Sequence, residues 1–184
     1  MMLFVRRVVS NMLIVGYTTR SHLLLDLDET SLYDVERLAK LIIKNYPDVG
    51  DCLIVESSTP SFTSYLKHDA HGVPHERWTY QNFHLVFNAT IRYERCLAII
   101  DDLVDLDVLA PEYKQIRLFR GDMTLRVSEK VLHHRIIPSP RPLKMVRHRT
   151  RHDYSQNIAR YLTLLMMCRT VTTRLFYEAT EKSM

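Results

Sequence analysis

The sequence is short of glycine, cysteine and long apolar runs, and each shortage closes off a class of protein. Four glycines in 184 residues leave no GxxxxGK[ST] or GxGxxG loop to cradle a phosphate, which argues against a P-loop ATPase or a dinucleotide-binding domain. The three cysteines, Cys52, Cys96 and Cys168, lie far apart and form no CxxC pair. They give no disulfide framework, and they read as buried reduced thiols of a cytoplasmic protein. No apolar stretch approaches the roughly 18 residues that a membrane span requires, and the longest, 161–168, is far shorter. The apolar N-terminus is broken by Arg6 and Arg7 with no small-residue cleavage site after it, so no signal peptide and no membrane partner are expected. No repeat period or low-complexity segment stands out.

What is present is an ordinary globular composition, 46% hydrophobic and 25% charged, long enough for one domain with a core. The net charge is +4, and it is unevenly spread. Residues 141–174 carry eight Lys and Arg against the single acid Asp153. Such a segment fits a polyanion, with Arg147, Arg149 and Arg151 as candidate nucleic-acid contacts. A solvated basic helix has the same composition.

Hydrophobic spacing predicts strands at 11–17 and 22–28, joined as a hairpin, and a helix over about 32–46 capped by Ser31 and stopped by Pro47 and Gly50. A strand follows at 52–57, then a long loop over 58–80, then a strand at 82–88. A second amphipathic helix is expected over 91–109, then a strand at 123–128 with another before it at 115–119. Pro138, Pro140 and Pro142 read as an extended linker, and a helix over about 154–177 closes the chain. Hairpins mixed with helices predict an α+β fold with a largely antiparallel sheet and helices packed on one face. Residues 1–140 would form the main domain, and 141–184 a basic linker and helix packed on it.

Side chains alternate along a strand. Leu23, Leu25 and Leu27 fall on one face, and Leu24, Asp26 and Asp28 on the other. Phe83, Leu85 and Phe87 likewise oppose Asn82 and His84. Met123, Leu125 and Val127 oppose Thr124 and Arg126, with Asp122 just before them. If the strands are neighbours, Asp26, Asp28, Asn82, His84, Asp122 and Arg126 share an open polar surface. Aspartate is depleted in strands, so a pair of them after three leucines marks a candidate site. Three carboxylates with a histidine and an arginine suit metal-assisted phosphoryl transfer, because Mg²⁺ or Mn²⁺ takes carboxylate oxygens and two metals can stabilise the attacking and leaving oxygens.

Three short motifs in this order resemble those of the archaeo-eukaryotic primase superfamily, the primase-polymerases. They are the hydrophobic run Leu23-Leu-Leu-Asp-Leu-Asp28, the Asn82-Phe-His84 strand start, and a carboxylate before a later strand, Asp122 in the 120–128 segment. The resemblance covers about residues 11–130 and implies an RRM-like catalytic core. It makes Asp26, Asp28 and Asp122 the ligands of catalytic Mg²⁺ or Mn²⁺. It gives His84 a nucleotide phosphate to contact, with Asn82, Arg126, Arg120 and Arg117 as further candidates. The implied activity is DNA primase- or polymerase-like nucleotidyl transfer, with nucleotide triphosphates and a single-stranded template as partners and a replication protein as a further one. A non-catalytic nucleic-acid-binding subunit with the same fold is the alternative within that family.

The same segment, Asp26-Leu-Asp-Glu-Thr30, is also similar to the first motif of haloacid dehalogenase-type phosphatases. That resemblance makes Asp26 a nucleophile and Asp28 a general acid/base, with Ser57 or Ser58, Lys67, and Asp101 or Asp102 completing the site in a parallel α/β fold. His84 and Asp122 have no role in it. Two other groupings carry less. His68, His71 and His75 in the 58–80 loop have loose spacing for zinc and no nearby cysteine. Phe62, Trp78 and Tyr80 in that loop can stack on bases, though loop packing uses the same residues.

Overall fold

The computed structural model describes residues 4–9, 12–58, 81–127, 130–132, 135–137, 139–148 and 156–168. In chain order the elements are β1 (Phe4–Val9), β2 (Met12–Thr19), β3 (Leu24–Thr30), α1 (Leu32–Asn45), a 3₁₀ turn (Pro47–Val49), β4 (Cys52–Ser58), β5 (Gln81–Phe87), α2 (Tyr93–Asp105), α3 (Pro111–Arg120), β6 (Met123–Arg126), β7 (Lys130–Leu132), β8 (Arg135–Ile137) and β9 (Arg141–Val146), followed by a helix at 157–168, here α4. The fold is α+β, and every strand pair is antiparallel. Among the described residues, no helix is long and apolar enough to cross a membrane.

The main sheet has the order β3-β5-β4-β9, and a second has the order β1-β2-β6. The expected hairpin between the first two predicted strands does not form. Thr19 and Ser21 hydroxyls converge on the Nδ1 of buried His22 at the turn, and β2 and β3 diverge there into different sheets. The proline-rich segment is not a linker either. Pro142 lies within β9, which pairs with β4 at the border of the main sheet. A border position tolerates a residue with no N–H to donate.

The strand expected at 115–119 is instead part of α3. Pro111 opens that helix, and Gly121 ends it in the left-handed region at φ 67°, which is the usual proline and glycine asymmetry of helix ends. α1 starts where the sequence places it. The Ser31 hydroxyl accepts from the Asp34 N–H at 3.1 Å, which satisfies one of the four free donors of the first turn.

Both faces of the main sheet are covered. Leu25, Leu27, Phe83, Leu85 and Ile54 lie on the face toward α1 and α2, with Val35, Ala39, Ile42, Cys96, Ile99 and Ile100 buried against them. The opposite face, with Leu24, Asp26, His84 and Val55 in register, meets α4. Ile158, Tyr161 and Leu165 of α4 belong to the same core. Leu23, Leu24 and Leu25 are therefore all fully buried, the mark of a strand enclosed on both sides. Helices on one face only is thus too simple a description. The 154–156 start and the 169–177 end of the predicted last helix, apart from Gln156, lie outside the described residues, as do 59–80.

Candidate active site

β3 and β5 pair so that Asp26 stands directly opposite His84. Facing residues of an antiparallel pair have Cβ atoms about 5 Å apart, and here the His84 Nε2 comes within 3.5 Å of the Asp26 carboxylate. The ring's other nitrogen, Nδ1, lies 3.0 Å from the Tyr161 hydroxyl. An ionised carboxylate only accepts, while a phenol can donate. A proton on Nε2, with Tyr161 donating to Nδ1, satisfies both sides of the ring.

α4 is fixed in place by polar contacts. The Asn157 side chain donates to the Phe87 carbonyl at 2.6 Å and accepts from the Tyr17 hydroxyl, while the Asn88 side chain accepts from the Ile158 N–H at 3.2 Å. The Tyr17 and Tyr161 rings meet edge to face at 5.7 Å. Burial of Tyr17 holds its hydroxyl above the usual tyrosine range, against the lowering effect of Arg160. The open polar surface expected from strand alternation is thus closed over His84, which is 1% exposed. The Asp26 side chain is 40% exposed and Asp28 is exposed, so the carboxylates reach solvent where the histidine does not.

The other edge of β3 is met by side chains instead of a strand. Leu24 and Asp26 turn their backbone groups away from β5, and the Tyr113 hydroxyl takes both. It accepts from the Asp26 N–H and donates to the Leu24 carbonyl, each at 3.1 Å. Arg117 donates from Nη2 to the same hydroxyl at 3.0 Å and from Nη1 to the Thr124 carbonyl of β6 at 3.1 Å. Its guanidinium lies over the Tyr113 ring, 4.6 Å from the centroid. β6 thus runs beside β3, joined to it through Tyr113 and Arg117. Burial raises the Tyr113 hydroxyl above its ordinary range, and Arg117 pulls it back part of the way.

A cavity of ≈ 610 Å³ opens beside this edge. Asp26, Asp28 and Thr30 line it from β3, Arg37 and Leu38 from α1, and Tyr113 from α3. The volume is within the range of small-ligand sites. Arg37 is the cation the sequence did not single out there. It lies on α1 at the spacing of a solvated helix face, and only the folded geometry turns it to the cavity.

The remaining candidates fall in several places. Asn82 precedes His84 on the same face of β5, opposite Ser58. Arg126 donates to the Ser57 carbonyl, crossing from β6 to β4. Arg120 is exposed at the end of α3. Asp122 accepts from the Thr124 hydroxyl at 2.8 Å, and its charge adds to burial in raising the Tyr93 hydroxyl. Arg117 is 5% exposed and spent on the β3–β6 join. Arg147 is exposed after β9, while Arg149 and Arg151 lie outside the described residues, as do Lys67, His68, His71 and His75, and Phe62, Trp78 and Tyr80.

Among the described residues, no group of three or more His, Cys, Asp or Glu side chains is gathered closely enough to hold a metal ion. The donor chemistry of Asp26 and Asp28 still fits one kind of site. Mg²⁺ is commonly held by one or two carboxylates, with substrate phosphates and water completing its shell. Of the phosphatase set, Asp101 and Asp102 lie on α2, where Lys114 and the Tyr46 hydroxyl hold them. The parallel sheet which that resemblance implies is not the sheet these strands form. No protein family, no curated protein and no solved structure matches this chain.

Proposed function

We propose that this domain is a metal-dependent nucleotidyltransferase of the primase-polymerase type, acting on nucleotide triphosphates over a single-stranded template. The observation that carries the reading is the cross-strand pair of Asp26 and His84. Two motifs nearly 60 residues apart in sequence meet on neighbouring strands beside a cavity that Asp26 and Asp28 both line. The order of strands supports it as well. β6 lies beside β3, β3 beside β5 and β5 beside β4, the arrangement of an RRM-like core built from β3-α1-β4-β5-α2-β6.

The geometry supports a set of roles for this reading. Asp26 and Asp28 are the residues to hold Mg²⁺ or Mn²⁺, which when bound supplies charge neutralisation for a triphosphate. Arg37 faces the same cavity and offers charge-assisted bonds to phosphate oxygens. His84 reaches the Asp26 carboxylate from the neighbouring strand, while Tyr161 fixes the imidazole. Catalysis in such a site is positioning and electrostatic stabilisation of an α-phosphate under attack by a 3′-hydroxyl.

The test is extension of a labelled primer, or de novo synthesis, on single-stranded template with Mn²⁺ and nucleotides. Product is expected from the wild-type chain and none from Asp26→Ala/Asp28→Ala. Template binding without product in either protein replaces this reading with that of a non-catalytic nucleic-acid-binding subunit.

A further inference from the structure

A second depression, ≈ 820 Å³, lies on the other flank of α1. Its lining includes the apolar side chains Ile43, Met145 and Val146, Lys40 and Lys44 from α1, and Lys144, Arg147 and His148 from β9 and the residues after it. Lys40 and Lys44 are one helical turn apart and so project from the same side. Glu36 faces these four cations at one end, 2.7 Å from Lys144 and 3.9 Å from Lys40. Asp51 takes the backbone N–H of His148 at the other. Among the described residues, Lys44 and Arg147 have no carboxylate within ion-pair distance, and both are exposed. Four cations brought together by two elements, with one carboxylate among them, make a concentrated positive field beside apolar side chains. Among the described residues, Glu36 engages Lys40 and Lys144, while Lys44 and Arg147 face solvent.

From this geometry we infer that the groove between α1 and β9 is a track for the phosphate backbone of single-stranded nucleic acid. The groove lining has cations for phosphates, apolar side chains for sugars, and the His148 imidazole beside them. Cations on phosphates carry no sequence information, so binding there is mainly electrostatic. α1 separates the groove from the Asp26 cavity. Its Val35, Leu38 and Leu41 flank lines the cavity, and its Lys40, Ile43 and Lys44 flank lines the groove. A strand in the groove thus runs about one helix diameter, ~10–12 Å, from the carboxylates. The use of the track as a template path rests on the proposed function; its affinity for nucleic acid does not.

The test is fluorescence anisotropy of a labelled single-stranded oligonucleotide without metal or nucleotide, over a range of salt. Lys44→Ala/Arg147→Ala removes two charges from the groove, and Arg92→Glu changes the net charge equally at an exposed site on α2's N-terminal end. Each cation lost from a phosphate contact lowers the slope of log K against log salt by about 0.7 for single strands. The groove variant is expected to lose about 1.4 from the slope and to bind at least tenfold more weakly at low salt, while Arg92→Glu keeps the wild-type slope. Equal slopes in all three proteins, or a wild-type chain that does not bind, overturn the proposal. Asp26→Ala/Asp28→Ala separates the two ideas: it is expected to bind as the wild type does. A groove effect with no synthesis by any protein leaves the track standing and removes the nucleotidyltransferase. Synthesis with no groove effect does the reverse.

Discussion

Two residues, Tyr113 and Arg117, show how much a single side-chain group can carry. The Tyr113 hydroxyl accepts two hydrogen bonds and donates a third, serving Asp26, Arg117 and Leu24 together. Arg117 is buried, with its Nε unsatisfied, and no carboxylate stands against it among the described residues. Its charge is met by two oxygen acceptors and an aromatic face. Tyr113→Phe deletes the hydroxyl and leaves buried polar groups short of partners, at about 1–3 kcal/mol each in the worst case. We expect a loss of that order in urea unfolding, with an unchanged denaturant slope. A loss below about 0.5 kcal/mol would mean that water replaces the hydroxyl. Because the same hydroxyl fixes the Asp26 backbone, the variant also tests whether this edge positions the candidate site.

At the scale of elements, α1 was readable because every local signal agrees. Ser31 caps it, Asp34 lies in its first turn and Lys44 in its last, and Tyr46-Pro47 stops it. Ser31→Ala removes a bond to the Asp34 N–H, and loss of such a cap costs about 0.5–2 kcal/mol. The variant should melt a few degrees lower, and Ser31→Thr, which keeps the hydroxyl that also donates to the Asp34 carboxylate, should recover most of the difference. Equal melting of Ser31→Ala and the wild-type chain would show that the helix is held by its buried face alone. α3 was misread for a physical reason. Ile116 and Leu118 alternate with polar neighbours as a strand would, yet both are exposed, as is Phe119 at 94%. The residue that buries is Arg117, with Tyr113 partly buried four residues before it, and a buried arginine gives no hydrophobic signal. β9 is hidden by Pro142 within it and by Pro138 and Pro140 just before it. Strand alternation puts Asp26 and His84 on the polar faces of their strands, but that the two strands are neighbours in this register comes from the fold alone. The burial of His84 under Tyr161 is not legible there, because the cover comes from a helix 77 residues downstream of His84, expected to pack on the domain but with nothing local to say on which face. The long segment between β4 and β5 was expected to be a loop, and lies outside the described residues.

For the whole molecule, buried acids that must stay neutral set an alkaline limit. Burial pushes the Cys96 thiol from 9.0 up to about 12, and it raises Cys52 still further. Below pH 9 the thiols keep their protons in both the folded and the unfolded chain, and stability does not change on their account. Between pH 9 and 12 the unfolded chain releases the Cys96 proton while the folded one retains it, so stability falls as pH rises. The slope approaches ~1.4 kcal/mol per pH unit for each such proton. Denaturation at pH 8, 9.5 and 10.5 should show this decline, and Cys96→Ala should make it shallower. A decline equally steep in the variant would assign the effect to other groups.

The join between β3 and β6 differs in kind from the ladders on either side of it. A ladder is made of main-chain atoms, which every codon specifies alike, so no single replacement erases it. This seam is written in the side chains of Tyr113 and Arg117, and a one-base change in either codon can rewrite it. The domain therefore carries a heritable adjustment screw at the strand that holds Asp26: point mutation can loosen or retune how its two sheets meet while leaving each sheet intact.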